Sequence, residues 1–372
     1  MPQNFHETIK KPPQQDELEV TLFGPGFGEC LIVHVGGDEW CVVDSCRTDG
    51  ESVAISYLRG LGVDVTKAIK LIVATHWHDD HIAGLSDLVA HAQTADFVVS
   101  AALSHEDFLS LVYAYRNRTM MRSTTGMSEW EKILVRLEKE TGFSERLIYA
   151  SDGKLLFRRS IGSGPFPCEI LALSPTNAAC SKALASYAAL LPKAKQPMKR
   201  VGPLDPNHGS IVLWISCGEE RILLGADLEE TGEQGTGWSV VVESKIREGA
   251  ASVFKVPHHG SSNGHHEAVW NKLLGKAPFA ILTPYTRLKH PLPTAEDIKR
   301  ITKLTPNSYV TRDPLSPDEK IRISKTIDKT ISEATRKARR LPSTVGVIRL
   351  RRSAKGIWTS ELFGTACPLK NC

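Results

Sequence analysis

The sequence predicts a mixed α/β fold in which several strands end in polar loops able to bind metal ions. Apolar runs are repeatedly followed at once by polar residues, helical patterns lie between the runs, and one run ends in a dense histidine and aspartate cluster. Short apolar runs bounded by turn residues are typical of buried strands. Because loops at one edge of a β-sandwich lie close together, we expect a metal site at such an edge.

The first hundred residues predict five strands and two helices. Residues 1–17 form a polar N-terminal tail. A glycine-rich turn and a Gly-Gly-Asp turn separate the first three strands, and Gly62 ends the first helix. The strands are expected over 19–23, 30–35, 40–44, 71–75 and 97–100, and the helices over 51–61 and 82–91.

The pattern changes after residue 100. Residues 101–200 mix amphipathic helices, expected over 106–117 and 128–140, with short strands and an Ala-rich helical segment over 177–191. We interpret them as an insertion or cap that shapes a substrate pocket. The core resumes near residue 203. Later strands are expected over 210–216, 221–224, 252–256, 279–283, 345–350 and 356–362, and later helices over 294–304 and 318–340.

Composition is that of a water-soluble globular protein, with 41% apolar and 24% charged residues in a chain of 372. An apolar run of membrane-spanning length and a secretory signal are both missing, so the sequence predicts a cytoplasmic protein without a membrane partner. The eight cysteines show no paired spacing, and we expect most to be buried as small apolar residues.

Positive charge is concentrated in residues 299–355, which hold 16 Lys and Arg against 5 Asp and Glu. A basic surface of this kind can attract a polyanion such as a nucleic acid. It can equally be a solvated helix face with a charged edge strand, and the sequence leaves both readings open.

The strongest chemical signal is His76-Trp-His78-Asp-Asp80-His81, which directly follows the predicted strand 71–75. Imidazole and carboxylate groups are the usual ligands of zinc, iron and related divalent ions. His76 and His78 are expected on one side of the turn and Asp80 and His81 on the other, so two ions can bind. A histidine-rich surface loop is the alternative, but further candidate ligands occur downstream.

Two downstream segments can complete this site. Asp227 follows a predicted strand, where its carboxylate can bridge two cations or cap the next helix. His208, in Pro206-Asn-His-Gly-Ser210, can complete the site of the ion held by His76 and His78, or it can contact substrate. Asn207 competes with it for the ligand role.

Two further histidine motifs are candidates for catalysis. In His258-His259-Gly-Ser261, adjacent side chains must point in different directions, so one can bind metal while the other faces substrate. We favour His259 as the ligand and His258 near the substrate. His290 can protonate a leaving group or stabilise negative charge, or it can be an ordinary loop residue.

These residues resemble the metallo-β-lactamase superfamily. His76-x-His78-x-Asp80-His81 matches its metal motif and Asp227 its bridging aspartate, although Asp44-Ser-Cys46 replaces the usual Asp-x-Gly of the opening hairpin. The segments around His208, His258 and His290 look more specifically like DNA-uptake competence hydrolases and phosphorylcholine esterases. The resemblance covers about 18–100 and 203–300.

The resemblance implies a four-layer αββα sandwich over 18–372 with an inserted helical cap. It also implies two divalent ions, usually zinc, with manganese or iron as options. His76, His78 and either His208 or Asn207 would hold one ion. Asp80, His81 and His259 would hold the other, and Asp227 would join them.

The expected activity is hydrolysis by hydroxide generated at the metal pair. Asp80 would orient the nucleophile, and His258 or His290 would assist the leaving group. Our first hypothesis is a phosphodiesterase or nuclease, and the alternative is a lactone, thioester or β-lactam hydrolase acting on a small molecule. A nucleic-acid-binding component of an assembly, with a structural metal site, is the hypothesis from another class.

Overall fold

The structure is a computed structural model that describes residues 10–24, 28–103, 126–140, 142–188, 206–286, 291–316, 345–353 and 356–372. The strands are β1 Glu17–Gly24, β2 Cys30–His34, β3 Trp40–Val43, β4 Arg47–Thr48, β5 Glu51–Ser52, β6 Ile69–Ala74, β7 Asp96–Ser100, β8 Leu147–Ala150, β9 Leu155–Arg159, β10 Cys168–Ala172, β11 Leu213–Cys217, β12 Glu220–Leu224, β13 Ala251–Lys255, β14 Leu274–Leu282, β15 Ser308–Val310, β16 Gly346–Ser353, β17 Thr359–Phe363 and β18 Cys367–Pro368. The helices are α1 Val53–Gly60, α2 Val65–Ala68, α3 Asp79–Ile82, α4 Leu85–His91, α5 Gly126–Lys139, α6 Asn177–Ala188, α7 Gly237–Glu243 and α8 Ala295–Leu304.

Within these residues the strands form two eight-stranded sheets and a small β4–β5 ribbon. The first sheet has the order β17-β16-β1-β2-β3-β6-β7-β8, and the second has the order β18-β15-β14-β13-β12-β11-β10-β9. Pairs β3–β6, β6–β7 and β7–β8 are parallel in the first sheet. In the second, β12, β13 and β14 are parallel to one another. Parallel neighbours end at the same edge of a sheet, so each sheet gathers several loops there.

Three apolar cores separate four layers. Alternate residues of each strand face opposite sides of its sheet. In β1 and β2, Val20 and Val33 lie in the core between the sheets, whereas Phe23 and Ile32 face the helical layer of the first sheet. On the second sheet, Phe254 packs with α7 in a third core. This is the αββα order predicted for the fold.

The predicted helix over 82–91 is interrupted in the structure. Asp79–Ile82 and Leu85–His91 are separate helices, because Ala83 is extended and Gly84 has a φ of 87°. Gly84 lacks a Cβ and adopts this left-handed conformation without the usual steric penalty. The break leaves Asp80 and His81 on a short turn of helix beside the end of β6.

Residues 101–200 differ from the expected insertion. Their strand β8 pairs with β7 in the first sheet, and β9 and β10 extend the second sheet. Only α5 and α6 are described as helices from this region, and Trp130 of α5 lies against Phe97. Short half-buried strands carry a weak sequence signal, so the sequence analysis assigned them to the cap. The predicted helices over 106–117 and 318–340 lie outside the described residues.

Some of the cysteines are buried as small apolar residues, as expected, and two of them form a disulfide. Cys30, Cys41 and Cys46 are free and buried. Cys168 and Cys217, opposite each other on β10 and β11, are joined by a disulfide in the core between the sheets, which the sequence analysis did not anticipate. Among the described helices, none combines the length and apolarity needed to cross a lipid bilayer.

Phe254→Ala should destabilise the outer core of the second sheet. Phe254 is 1% exposed and makes edge-on contacts with Trp238 and Trp270, whose ring centroids lie 6.3 and 5.3 Å away. Truncation of a buried Phe costs about 3–5 kcal/mol. Urea unfolding should show this loss, whereas Ile161→Ala, at a position 86% exposed, should change stability by less than about 0.5 kcal/mol. Equal effects would contradict the described core.

Candidate metal centre

The centre lies where strand ends of both sheets meet. Asp44 follows β3, and His76 follows β6, its parallel neighbour. Asp227 follows β12, and His259 follows β13 through Pro257. The backbone of Ile211 donates a hydrogen bond to the carbonyl of Thr75 (3.1 Å), which joins the two sheets at this edge.

The residues that carry Asp227 and His259 have unusual backbone geometry. Ala226, His258 and His259 have φ values of 45°, 46° and 54°, in the left-handed region that side chains with a Cβ rarely adopt. Such strain is retained where surrounding structure over-determines it, often at functional sites. His258 and His259 both adopt this left-handed backbone conformation. The His259 side chain points into the buried cluster, and the His258 side chain lies at the edge of that cluster.

Oδ2 of Asp227 is the central atom of the cluster. It lies 3.3 Å from Nε2 of His81, 3.5 Å from Nε2 of His259 and 4.0 Å from Nε2 of His76. Asp80 Oδ2 lies 3.3 Å from His259 Nε2 and 3.8 Å from His81 Nε2. The structure therefore brings these five predicted ligands together in one buried pocket.

His78 joins the same cluster from its rim. Its Nδ1 lies 3.2 Å from Nε2 of His76, and it is only partly buried. The His76 ring centroid lies 4.9 Å from that of His78 and 4.1 Å from that of His81, so His76 is adjacent to both. The predicted division of these residues between two ions stays a prediction.

Hydrogen bonds fix the tautomers of three imidazoles. His81 Nδ1 donates to Asp44 Oδ2 (2.7 Å), and His259 Nδ1 donates to the carbonyl of Thr283 (3.2 Å), because neither oxygen can donate. The Thr75 hydroxyl donates to Asp44 Oδ2 (2.8 Å) and so accepts from His76 Nδ1 (2.9 Å). In each neutral ring Nε2 is then left with a lone pair, the arrangement that metal-binding histidines use.

Charge in the pocket is strongly unbalanced. Glu29, Asp44, Asp80 and Asp227 are all buried, and Lys255 is the buried cation among them, with Nζ 2.6 Å from Glu29 Oε1. Among the described residues, four carboxylates against one ammonium leave three negative charges for the imidazoles or bound cations to offset. Burying unpaired charge is costly, so this pocket favours cations.

The pKa shifts reflect the same imbalance. Burial lowers the pKa of His81, but the Asp227, Asp80 and Asp44 carboxylates raise it more, and the net pKa is well above the ordinary value. The pKa of His259 is also raised, because Asp227 and Asp80 outweigh its burial. Burial and then the His81 charge hold the pKa of His76 well below its usual range, so His76 stays neutral.

These residues fit a divalent cation. His81 Nε2 is buried and makes no hydrogen bond of acceptable geometry, although it points at Asp227. Ligand atoms of Asp80, His81 and His259 lie within 4.8 Å of one another, as do those of Glu29, His81 and Asp227. Imidazole nitrogen and carboxylate oxygen suit zinc, iron and manganese.

The remaining predicted residues lie around the centre or outside the described residues. Asn207 and His208 occupy a short 3-10 turn, Pro206–Gly209, just before the Ile211 contact with Thr75. Asn207 Nδ2 donates to Glu229 Oε1 (2.7 Å), and the choice between Asn207 and His208 as a ligand stays a prediction. His290 lies outside the described residues.

His258 is placed at the rim rather than among the ligands. Its Nδ1 lies 2.8 Å from Asn263 Oδ1 and 3.1 Å from both Glu229 Oε1 and Ser261 Oγ. Glu229 therefore connects two of the predicted motifs, since it also accepts from Asn207. The structure thus places His259 inside the cluster and His258 at its rim, and the division of roles between them stays a prediction.

Sequence reasoning missed Glu29 and Lys255 and did not assign Asp44 to the site. Each carries a weak signal. Lys255 interrupts the apolar run Val253-Phe-Lys-Val256, where a charge must be buried if the run is a strand. Glu29 stands between Gly28 and an apolar strand, and its backbone N–H donates to the carbonyl of Asp80 (2.9 Å). Gly28 permits this approach, because at its φ of 100° a Cβ would lie 2.9 Å from Cβ of Cys46.

Residues 23–118 match the family model described as the metallo-beta-lactamase superfamily. This match makes that part of the chain similar to the superfamily. The matched segment contains the His76–His81 motif and Asp44. The similarity and the buried donor set agree on a candidate metal site at this motif. A search of the curated proteins finds no match.

Solved structures that are similar to the chain include a metallo-beta-lactamase fold protein, a metallo-beta-lactamase and a beta-hydroxylase. One is the metallo-beta-lactamase fold protein YhfI from Bacillus subtilis, with 16% identity over 64% of this chain and 70% of that one and a TM-score of 0.32. A metallo-beta-lactamase from Cronobacter sakazakii has 13% identity over 67% and 79% of the two chains, with a TM-score of 0.32. A mutant of the CmlA beta-hydroxylase has 15% identity over 70% and 38%, also with a TM-score of 0.32.

Asp44→Asn should weaken metal binding about 10- to 100-fold, the usual effect of losing a carboxylate that orients a metal-binding histidine. Both Asp44 oxygens accept hydrogen bonds, Oδ1 from the Thr75 N–H and Oδ2 from Thr75 Oγ1 and His81 Nδ1. The side-chain amide introduced by the substitution would place its NH₂ group against the Thr75 or His81 donors that now face a carboxylate oxygen. Competition titration with a chromophoric zinc chelator measures the change. Asp64→Asn, at an exposed helix cap, is the control and should bind metal like wild type. Unchanged affinity in Asp44→Asn would contradict the assigned tautomer.

Metal-free protein should lose stability as pH rises above about 6.5, the ordinary pKa of histidine. The folded-state pKa values of His81 and His259 are raised, so their protonation stabilises the fold below the unfolded pKa, and that contribution is lost as pH passes through the folded values. Asp80 and Asp227 have lowered pKa values and stay ionised across this range. Thermal melts of chelator-treated protein should show a falling Tm. Metal-loaded protein, in which cations replace the protons, should show a much smaller fall, and parallel pH profiles would contradict this account.

Proposed function

We propose that this protein is a hydrolase of phosphodiesters that uses two divalent ions, most simply Zn²⁺, with Mn²⁺ or iron as alternatives. The observation that carries the metal-dependent part is the buried cluster of imidazole Nε2 atoms around Oδ2 of Asp227. The phosphodiester part is supported by the resemblance of the Asn207–Ser210, His258–Ser261 and His290 segments to phosphodiester-cleaving relatives.

In this proposal the described residues divide into two ligand sets. His76 and His78 would hold one ion, with His208 or Asn207 completing the set. Asp80, His81 and His259 would hold the other, and Asp227 would serve both. Bound cations of this kind lower the pKa of a coordinated water towards about 7 and offset negative charge on the attacked group.

The chain's own residues then orient the reaction. Asp80 is buried beside His81 and His259, where its carboxylate can accept a hydrogen bond from the attacking water and direct it. His258 has Nδ1 engaged by Asn263, Glu229 and Ser261, so Nε2 is the nitrogen that can transfer a proton to the leaving oxygen. His290 is the proposed second group at the leaving oxygen.

The basic region is not required by this proposal. Two of its described arginines are paired within the protein, Arg349 with Glu361 (2.8 Å) and Arg352 with Glu220. A small phosphodiester therefore suits the site as well as an exposed nucleic-acid strand. Nucleic-acid binding through residues 299–355 is a separate proposal, which salt-dependent binding to labelled DNA and RNA would test.

The substrate class is tested by comparing phosphorus and carbonyl chemistry on one preparation. Protein reconstituted with Zn²⁺, Mn²⁺ or Fe²⁺ is assayed with bis(p-nitrophenyl) phosphate, single-stranded DNA and RNA, and with chromogenic lactone, thioester and β-lactam substrates. We expect turnover of at least one phosphodiester in a metal-dependent manner. Turnover confined to the carbonyl substrates would overturn the phosphodiester assignment and leave the metal-dependent hydrolase intact.

Asp80→Ala combined with His81→Ala should abolish this turnover. The pair supplies two of the donors of one ion and the residue that directs the water, so we expect a loss of more than about 10³-fold. Asp79→Ala, at the neighbouring exposed position, is the matched control and should retain activity. Circular dichroism and elemental analysis establish that the double variant is folded and has lost metal. Retained turnover in that variant would rule out the site.

A further inference from the structure

Lys255 lies behind the metal centre with its ammonium group fully engaged. It ends β13 and is 1% exposed. Its Nζ contacts Glu29 Oε1 at 2.6 Å, the carbonyl of Ala226 at 2.8 Å and Asp227 Oδ1 at 3.5 Å. An ammonium group has three N–H donors, so these three acceptors account for all of them.

The two oxygens of Asp227 face different partners. Oδ1 faces Lys255, whereas Oδ2 faces the Nε2 atoms of His81, His259 and His76. A carboxylate without such a constraint can rotate and bind a single cation through both oxygens. With an ammonium group beside Oδ1, that binding mode would bring a second positive charge next to Lys255.

Glu29 holds Lys255 in place and extends the contact to His259. Its Oε1 pairs with Lys255, and its Oε2 accepts a hydrogen bond from Thr283 Oγ1 (2.5 Å). The carbonyl of the same threonine accepts from His259 Nδ1. The ends of β13 and β14 and the residue before β2 are thus connected behind the pocket.

We propose that Lys255 is a positioning residue that occupies Oδ1 of Asp227, so that Oδ2 alone is offered to both metal positions. This proposal rests on the two-ion site of the proposed function, but it does not depend on the substrate. It makes Lys255 a determinant of how many ions bind.

Removal of the Lys255 charge has opposite expected effects on metal affinity, depending on whether Lys255 acts through its charge alone or by positioning Asp227. The pocket carries more carboxylates than cations, so removal of the Lys255 charge should strengthen cation binding if charge alone matters. If Lys255 positions Asp227, its removal should weaken binding of the ion that relies on the shared oxygen. The sign of the change therefore separates the two roles.

The experiment compares Lys255→Met, Lys255→Arg and the double variant Lys255→Met/Glu29→Gln with wild type. The double variant removes the buried pair together, so no unpaired Glu29 charge remains to unfold the protein. Zinc content is measured after dialysis, and Co²⁺ titrations are followed by the ligand-field spectrum. We expect wild type to bind two ions tightly. Lys255→Met and the double variant should bind one ion tightly and a second ion at least about 10-fold more weakly than wild type does. Lys255→Arg should recover part of the loss.

Lys67→Met, at an exposed lysine, is the control and should bind two ions. Wild-type or tighter binding of two ions by the Lys255→Met and double variants would overturn the proposal. Fewer than two ions in wild type would overturn it as well. If wild type binds two ions but hydrolyses no substrate tested, the proposed function fails, and the metal titrations still decide the role of Lys255.

Discussion

The site depends on four carboxylates, of Glu29, Asp44, Asp80 and Asp227, buried around one ammonium group. Carboxylates rarely stay ionised inside a protein unless cations or hydrogen-bond donors accompany them. Here Thr75, Thr283 and the imidazoles supply donors, but they do not remove the excess negative charge. The same carboxylates raise the pKa of His81 and of His259, because they favour positive charge on the imidazoles.

The two-sheet architecture is what allows such a cluster to form. Residues at the ends of β3 and β6 are fixed by the first sheet, and those at the ends of β12, β13 and β14 by the second. Each sheet is packed on both faces, so the strand ends are rigid, and the strained residues Ala226, His258 and His259 are confined to the loops. Rigid strands can hold ligands in place without cost in conformational entropy at the time of binding.

The parts of the site that sequence could predict are those in which neighbouring residues carry the signal. The His76–His81 motif and the placement of Asp227 after a strand need only the local pattern, and the structure brings these residues together. Glu29 and Lys255 are far apart in sequence and meet only because the sheets join at this edge, so their partnership could not be read from either segment. Strands β8 to β10 were assigned to a cap because they are short, only partly buried and lack a continuous apolar run.

The buried lysine also bears on which substrates the pocket can accept. If two dications and one hydroxide joined the four carboxylates and Lys255, the formal charges of the pocket would cancel. Without Lys255 the same set would carry a net negative charge, which would repel an anionic phosphodiester but would matter little to a neutral lactone or thioester. Retaining a buried ammonium group costs desolvation energy that a neutral residue would avoid. Under the proposed function, this cost is balanced by a pocket that does not repel an anionic substrate, and the same group keeps one oxygen of Asp227 available to both ions.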